Sequence, residues 1–225
     1  MNLLTLPAEG RWPRHRLLRL APAAWAALIA SRNDLAGEPL LESWAQRGWP
    51  LIVRRRLPGE VPTSLPVGLP LPPSAGKRRI ALQIQADDIA SVAALPRLAE
   101  VIAAAPQDWR PTLQQLVAIG ERFGVETRVF GSLAWQWLTG LTYIGASSDI
   151  DLTWTLPRKT QIDDLLAALA AIDAAAPMRV DGEWLRADGS GVNWRELQAR
   201  SAEVMLKTAR EPLLCTREDF LEACP

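Results

Sequence analysis

Three residue types are nearly absent from this chain: it holds 2 Cys, 1 His and 1 Tyr in 225 residues. Cys215 and Cys224 are too few for a disulfide framework, and His15 is too distant in sequence to form a zinc motif with them. Ordinary packing or surface thiols are expected, since disulfides are rare in the cytosol. Net charge is absent as well, because 25 Lys and Arg balance 25 Asp and Glu. That removes the basic footprint of a general nucleic-acid binder. No apolar run approaches the ~20 residues a membrane helix needs. In the opening MNLLTLPAEGRWPRHR the charges follow a weakly apolar stretch, unlike the order of a signal peptide, so a cytoplasmic location is expected. The chain is long enough for one large domain or two small ones, and 48% of it is apolar. Its 10 Trp are expected mainly as packing anchors, with base stacking or groove lining as the lesser use.

The residue pattern predicts an α+β chain in two domains, residues 1–90 and 91–225, with the boundary somewhere between 86 and 108. In the smaller first domain, helices are expected over 22–31 and 39–47, and strands over 50–56 and 77–85. The Pro- and Gly-dense stretch 57–76 reads as turns and extended connections, across which the two strands would pair as a hairpin. The second domain reads as a mixed sheet with helices against it. Helices are expected near 95–104, 112–123, 133–141, 160–174, 195–208 and from 217, the fourth opened by a capping box of Thr160 with Asp163. Strands are expected over 125–130, 149–154, 178–186, 192–194 and 212–215.

Residues 130–154, FGSLAWQWLTGLTYIGASSDIDLTW, carry the chemistry. Asp149 and Asp151 are two apart on a predicted strand, so both carboxylates share one face at a backbone separation of roughly 6–7 Å. Hard oxygen ligands in that arrangement suit Mg²⁺, which takes one or two carboxylates and completes its shell with water and phosphate oxygens. Gly131 and Ser132 lie between a strand and a helix, where backbone N–H groups can hold a phosphate. Ser132 is equally suited to capping that helix. Gln136 and Thr139 on the same helix are further candidates to face the site. A third carboxylate is expected from Asp181 or Glu183 on one face of the next strand, with Asp181 preferred. It would ligate a second metal or take a proton from the acceptor. The plainer readings are a solvated Asp-x-Asp turn and an Asp181-Gly182 turn. Arg54, Arg55 and Arg56 form one basic cluster and Lys77, Arg78 and Arg79 another. Each is a candidate phosphate or acidic-partner patch, or a solvated strand end.

The GS…SDIDL pattern resembles the nucleotidyltransferase superfamily of the DNA polymerase β type. The fuller string RVFGSLAWQWLTGLTYIGASSDIDL is more specific. Together with WPLIVRRR, PVGLPLPP and DGEWLRADGSGVNWREL, it resembles the malonate decarboxylase holo-acyl-carrier-protein synthases, also called phosphoribosyl-dephospho-CoA transferases. The resemblance implies a nucleotidyltransferase-like C-terminal domain and transfer from 2′-(5″-triphosphoribosyl)-3′-dephospho-CoA to a serine of the malonate decarboxylase acyl-carrier protein, with release of pyrophosphate. It implies Asp149 and Asp151 as the essential acidic pair and Gly131 and Ser132 as the phosphate turn. An N-terminal domain with Arg54, Arg55 and Arg56 at a strand end would then meet the donor or the carrier protein. The competing expectations are a nucleotidyltransferase acting on a small molecule or another protein, and a non-catalytic carrier-binding module.

Overall fold

The computed structural model describes residues 12–224. Most of the opening segment read above for targeting lies outside the described residues. The chain divides into two compact units, one running to Ala94 and the other beginning at Leu95. Among the described residues no helix is long and apolar enough to cross a membrane.

Among the described residues, the first unit is a five-stranded antiparallel sheet. Its strands are β1 (Leu17–Leu20), β2 (Leu51–Val53), β3 (Leu65–Pro70), β4 (Arg79–Ile84) and β5 (Ile89–Ala93), in the order β4-β3-β2-β1-β5. Helices α1 (Pro22–Ala30) and α2 (Pro39–Glu42) occupy the connection from β1 to β2. The expected connection over 57–76 in fact contains β3, which separates β2 from β4 and pairs with both, so the hairpin of β2 with β4 does not form. Proline masked this strand. Pro66 faces β2 only beyond that strand's end, where its carbonyl accepts from Arg54 N at 3.1 Å and no ladder bond needs the missing N–H. The expected second helix is also shorter, ending at Glu42.

The second unit is a six-stranded mixed sheet. Helices α3 (Leu98–Val101) and α4 (Arg110–Phe123) lead into β6 (Thr127–Phe130), α5 (Gly131–Thr139) and β7 (Ile150–Thr155). Then come α6 (Ile162–Ala175), β8 (Val180–Leu185), β9 (Gly191–Asn193), α7 (Trp194–Gln198), β10 (Glu203–Lys207), β11 (Pro212–Thr216) and α8 (Arg217–Leu221). The order is β11-β10-β9-β8-β7-β6, and only β7 and β8 run parallel. A parallel pair needs a crossover, and the fourteen residues of α6 supply it. Helix α6 packs on α4, and the apolar core joins these helices to Val129, Ile150, Leu152, Trp154, Val180 and Trp184.

Two expectations in this unit fail for local reasons. The helix over 195–208 stops at Gln198, and Glu203–Lys207 of that stretch forms β10. Its composition favours helix, but Val204 and Leu206 alternate inward while β10 pairs with β9 and β11, and tertiary pairing outweighs propensity. The Thr160–Asp163 capping box is absent. Thr160 lies in a short 3-10 turn, α6 starts at Ile162, and Asp163 instead pairs with Arg217 at 3.0 Å and Arg200 at 3.1 Å.

Eight of the ten Trp are buried, so most of them serve as packing anchors. Trp154 and Trp184 stack with ring centroids 5.1 Å apart across the parallel pair. Such a contact adds about 0.5–1.5 kcal/mol beyond the area it buries.

Candidate functional site

Strand alternation sorts the residues of β7 and β8. Ile150, Leu152, Trp154, Val180 and Trp184 enter the core, so Asp151 and Asp181 stand on the opposite face. The register aligns Asp151 with Phe130 on one side and with Asp181 on the other. Asp149 ends the loop into β7, one residue ahead of the strand. One carboxylate oxygen from each of Asp149, Asp151 and Asp181 lies within 4.8 Å of the other two, and all three residues are half-buried. Asp181-Gly182 is therefore part of a strand, not a turn. Gly182 is required there because a Cβ would meet the Trp154 ring at 2.3 Å.

The turn from β6 into α5 closes on the same carboxylates. Phe130 ends β6 opposite Asp151, and Gly131 follows with φ +64° at the first position of α5. A Cβ on Gly131 would fall 1.8 Å from Asp151 Oδ2. Among the described residues no side chain caps α5, so Ser132, half-buried in the first turn, does not perform the capping role open to it. The leading N–H groups of a helix have no acceptor within it and carry its positive dipole end. That end of α5 sits beside the three carboxylates.

The supporting residues are less apparent from sequence. Asp181 Oδ1 accepts from Gly182 N at 2.8 Å and from Asn193 Nδ2 at 2.7 Å, while Oδ2 lies 4.0 Å from the exposed Arg179 guanidinium. Just before Asp181, Asp173 Oδ1 accepts from Val180 N at 2.9 Å and Arg195 Nη2 at 2.7 Å. Burial raises the Asp173 carboxyl, but Arg195 and the Val180 N–H outweigh it and hold its pKa below the usual carboxylate value. Trp194 Nε1 and Arg195 Nη2 both donate to the Val180 carbonyl at 3.0 Å, which pins the start of β8.

A family model for the C-terminal domain of the MdcG phosphoribosyl-dephospho-CoA transferases matches residues 97–218, and one for their N-terminal domain matches 13–94. The chain belongs to this family. A curated relative from Bradyrhizobium diazoefficiens, named phosphoribosyl-dephospho-CoA transferase, is 46% identical over 208 residues, covering 92% of this chain and 92% of its own. A relative of the same name from Xanthomonas campestris pv. campestris is 42% identical over 170 residues, covering 76% of this chain and 80% of its own. A third, from Xanthomonas euvesicatoria pv. vesicatoria, is 38% identical over 205 residues, covering 91% and 94%. No solved structure matches. The chain is a transferase enzyme of this family, with an α+β fold that carries both family domains.

The other candidates separate. Glu183 is buried and bonded to Lys207 Nζ at 2.9 Å, outside the carboxylate cluster. Gln136 and Thr139 serve the fold. Gln136 donates to the Ala104 carbonyl and accepts from Tyr143 and Ile144 N–H, and Thr139 donates to the Trp135 carbonyl. In the first unit, Arg54 pairs with Glu60 and donates to the carbonyls of Arg55, Val67 and Leu82. The Arg54 guanidinium holds the Glu60 carboxyl below its usual range. Arg56 donates to the carbonyls of Val61, Pro62 and Ser64. Arg54 and Arg56 thus hold the connection into β3. Arg55 differs, since its buried Nε has no hydrogen-bond partner among the described residues. In the second basic cluster, Arg78 pairs with Glu38 at 2.6 Å. Asn193 and Arg179 were not legible as site residues, because only the pairing of β8 with β9 and the start of α7 bring Asn193 to Asp181.

Proposed function

We propose that this chain transfers the phosphoribosyl-dephospho-CoA group from 2′-(5″-triphosphoribosyl)-3′-dephospho-CoA to a serine of the malonate decarboxylase acyl-carrier protein, releasing pyrophosphate, with Mg²⁺ at Asp149 and Asp151. The observation that carries the reading is the convergence of Asp149, Asp151 and Asp181 beside the Gly131 turn, in a chain whose curated relatives are named phosphoribosyl-dephospho-CoA transferase.

The donor set fits Mg²⁺. Three carboxylates this close repel one another, and a hard divalent cation with oxygen ligands relieves the repulsion. One oxygen from each carboxylate lies within 4.8 Å of the other two, so small side-chain movements would let them share a divalent cation. Bound Mg²⁺ supplies positive charge to the donor's phosphate oxygens. The protein supplies position. Asp149 and Asp151 hold the cation, Asp181 completes the acidic cluster, and the N–H groups of Gly131 and Ser132 donate to a phosphate oxygen. The carrier serine Oγ bonds to the α-phosphorus as the bridging bond to the β-phosphate breaks. Pyrophosphate departs with the electron pair, and the serine proton leaves to a base. Phosphoryl transfer is mostly positioning and electrostatics, so little else is required of the site.

Arg55 in the first unit is assigned to the donor or the carrier, while Arg54 and Arg56 shape the loop around it. A balanced net charge suits one small donor and one protein acceptor in the cytoplasm, with neither nucleic acid nor membrane involved. The test is mass spectrometry of the carrier protein after incubation with enzyme, donor and Mg²⁺. The expected result is one phosphoribosyl-dephospho-CoA adduct on a serine, abolished by a chelator. Labelling from ordinary nucleoside triphosphates in place of this donor would overturn the reading.

A further inference from the structure

Asn193 has two hydrogen bonds that its amide orientation keeps distinct. Its Oδ1 accepts from Arg195 N at 2.9 Å and caps α7, and its Nδ2 donates to Asp181 Oδ1 at 2.7 Å. A backbone N–H only donates and a carboxylate only accepts, so the amide cannot be turned over without breaking both. The residue is also held from behind. Asn193 lies opposite Glu183 in the β8–β9 ladder, and the next residue, Trp194, is buried with Nε1 on the Val180 carbonyl.

This arrangement sets which oxygen of Asp181 is occupied. Gly182 N and Asn193 Nδ2 both donate to Oδ1, so Oδ2, which lies 4.0 Å from the exposed Arg179 guanidinium, is the oxygen left to meet a cation. A carboxylate with only the Gly182 bond would be free to rotate about its side chain. The Asn193 bond removes that freedom before any ligand arrives.

We propose that Asn193 is a positioning residue. It orients Asp181 within the Asp149–Asp151–Asp181 cluster, and so sets the affinity of the site for a divalent cation as well as the rate of transfer. The inference rests on the metal reading above. Removing a group that orients a metal-binding carboxylate typically costs about 10–100-fold in metal affinity or activity.

Two substitutions separate this role from capping. Serine and aspartate both cap helices about as well as asparagine. Asn193→Ser keeps the cap but is too short to reach Asp181, and Asn193→Asp keeps the cap but sets a second negative charge against Asp181. The measurement is Mn²⁺ titration of the donor-free full chain by calorimetry, paired with thermal melts without metal. The expected result is a near-normal melting temperature and about 10–100-fold weaker Mn²⁺ binding in Asn193→Ser. Asn193→Asp should bind Mn²⁺ less tightly than the parent, and kcat should fall in both with the carrier KM unchanged. Parental Mn²⁺ affinity in either folded variant would overturn the proposal and leave the metal reading intact. Failure of the parent chain itself to bind Mn²⁺ would overturn both.

Discussion

The Cα of Gly131 lies against the carboxylate of Asp151 so closely that a Cβ at position 131 would fall 1.8 Å from Oδ2. The β6–β7 register produces this contact, because it sets Phe130 opposite Asp151 and the chain turns into α5 at the next residue with φ +64°. Gly131→Ala therefore displaces Asp151 and strains the backbone at once. The expected loss is about 10²-fold or more in kcat, from misplacing a reacting group by about an ångström, and about 1–3 kcal/mol in stability. Steady-state kinetics with a denaturant melt of the same preparation check it. Parental kcat in a folded variant would contradict the placement.

The acidic cluster gives a sharper test because its effects on stability and activity have opposite signs. Asp149→Asn, Asp151→Asn and Asp181→Asn each remove one of three like charges within 4.8 Å. Each is expected to abolish or severely reduce transfer while leaving the metal-free melting temperature unchanged or raised. Mg²⁺ at ten times its Kd should stabilise the parent by about 1.4 kcal/mol and the variants by less. Melting curves with and without Mg²⁺ decide it; equal Mg²⁺ stabilisation of parent and variants would count against a metal site at these residues.

Asp173 sets a pH dependence. Its folded pKa is depressed, because Arg195 and the Val180 N–H outweigh burial. The folded state therefore binds this proton less readily than the unfolded chain, whose carboxylate has its ordinary pKa of about 3.9. The stabilisation is fully present above that value and is lost as pH falls through the folded pKa. Asp173→Asn should be less stable than the parent at neutral pH, with the gap narrowing as pH drops below about 4. Urea melts across that range read it directly, and a gap independent of pH would remove Asp173 as the source.

The arginine triplet should divide by role. Arg56→Ala frees the carbonyls of Val61, Pro62 and Ser64 and is expected to lower stability by about 1–3 kcal/mol. Arg55→Ala should leave the melt near parental and raise the KM for the donor or the carrier by about tenfold, the loss expected for one charged hydrogen bond. Unchanged KM for both substrates would remove Arg55 from the binding surface.

Much of the site was legible along the chain because it is local. Asp149 and Asp151 lie two apart where an apolar strand begins, and a glycine before a helical run marks a turn, so short-range pattern sufficed to find the segment, although Asp149 itself ends the loop ahead of β7. The preference for Asp181 over Glu183 was less determined, since both share a face of β8. The parallel register aligns Asp181 with Asp151 and brings its carboxylate into the cluster, while Glu183 lies two residues along and bonds to Lys207. Strand β3 and strand β10 were missed for opposite reasons. Proline concealed the first, and favourable helix composition concealed the second.

The two-unit α+β organisation, the Gly-Ser turn, the spacing of Asp149 and Asp151 and the family were readable along the chain, because each depends on short-range pattern or on residue identity. It took the folded arrangement to show that Asp181 lies beside Asp149 and Asp151, that Arg54 and Arg56 are committed to their own loop, and that Asn193 bonds to Asp181. Those relations depend on strand register and on residues 12 positions apart or more meeting side by side, as Asn193 and Asp181 do. Register is chosen by the packing of whole sheet faces, so no local pattern encodes it.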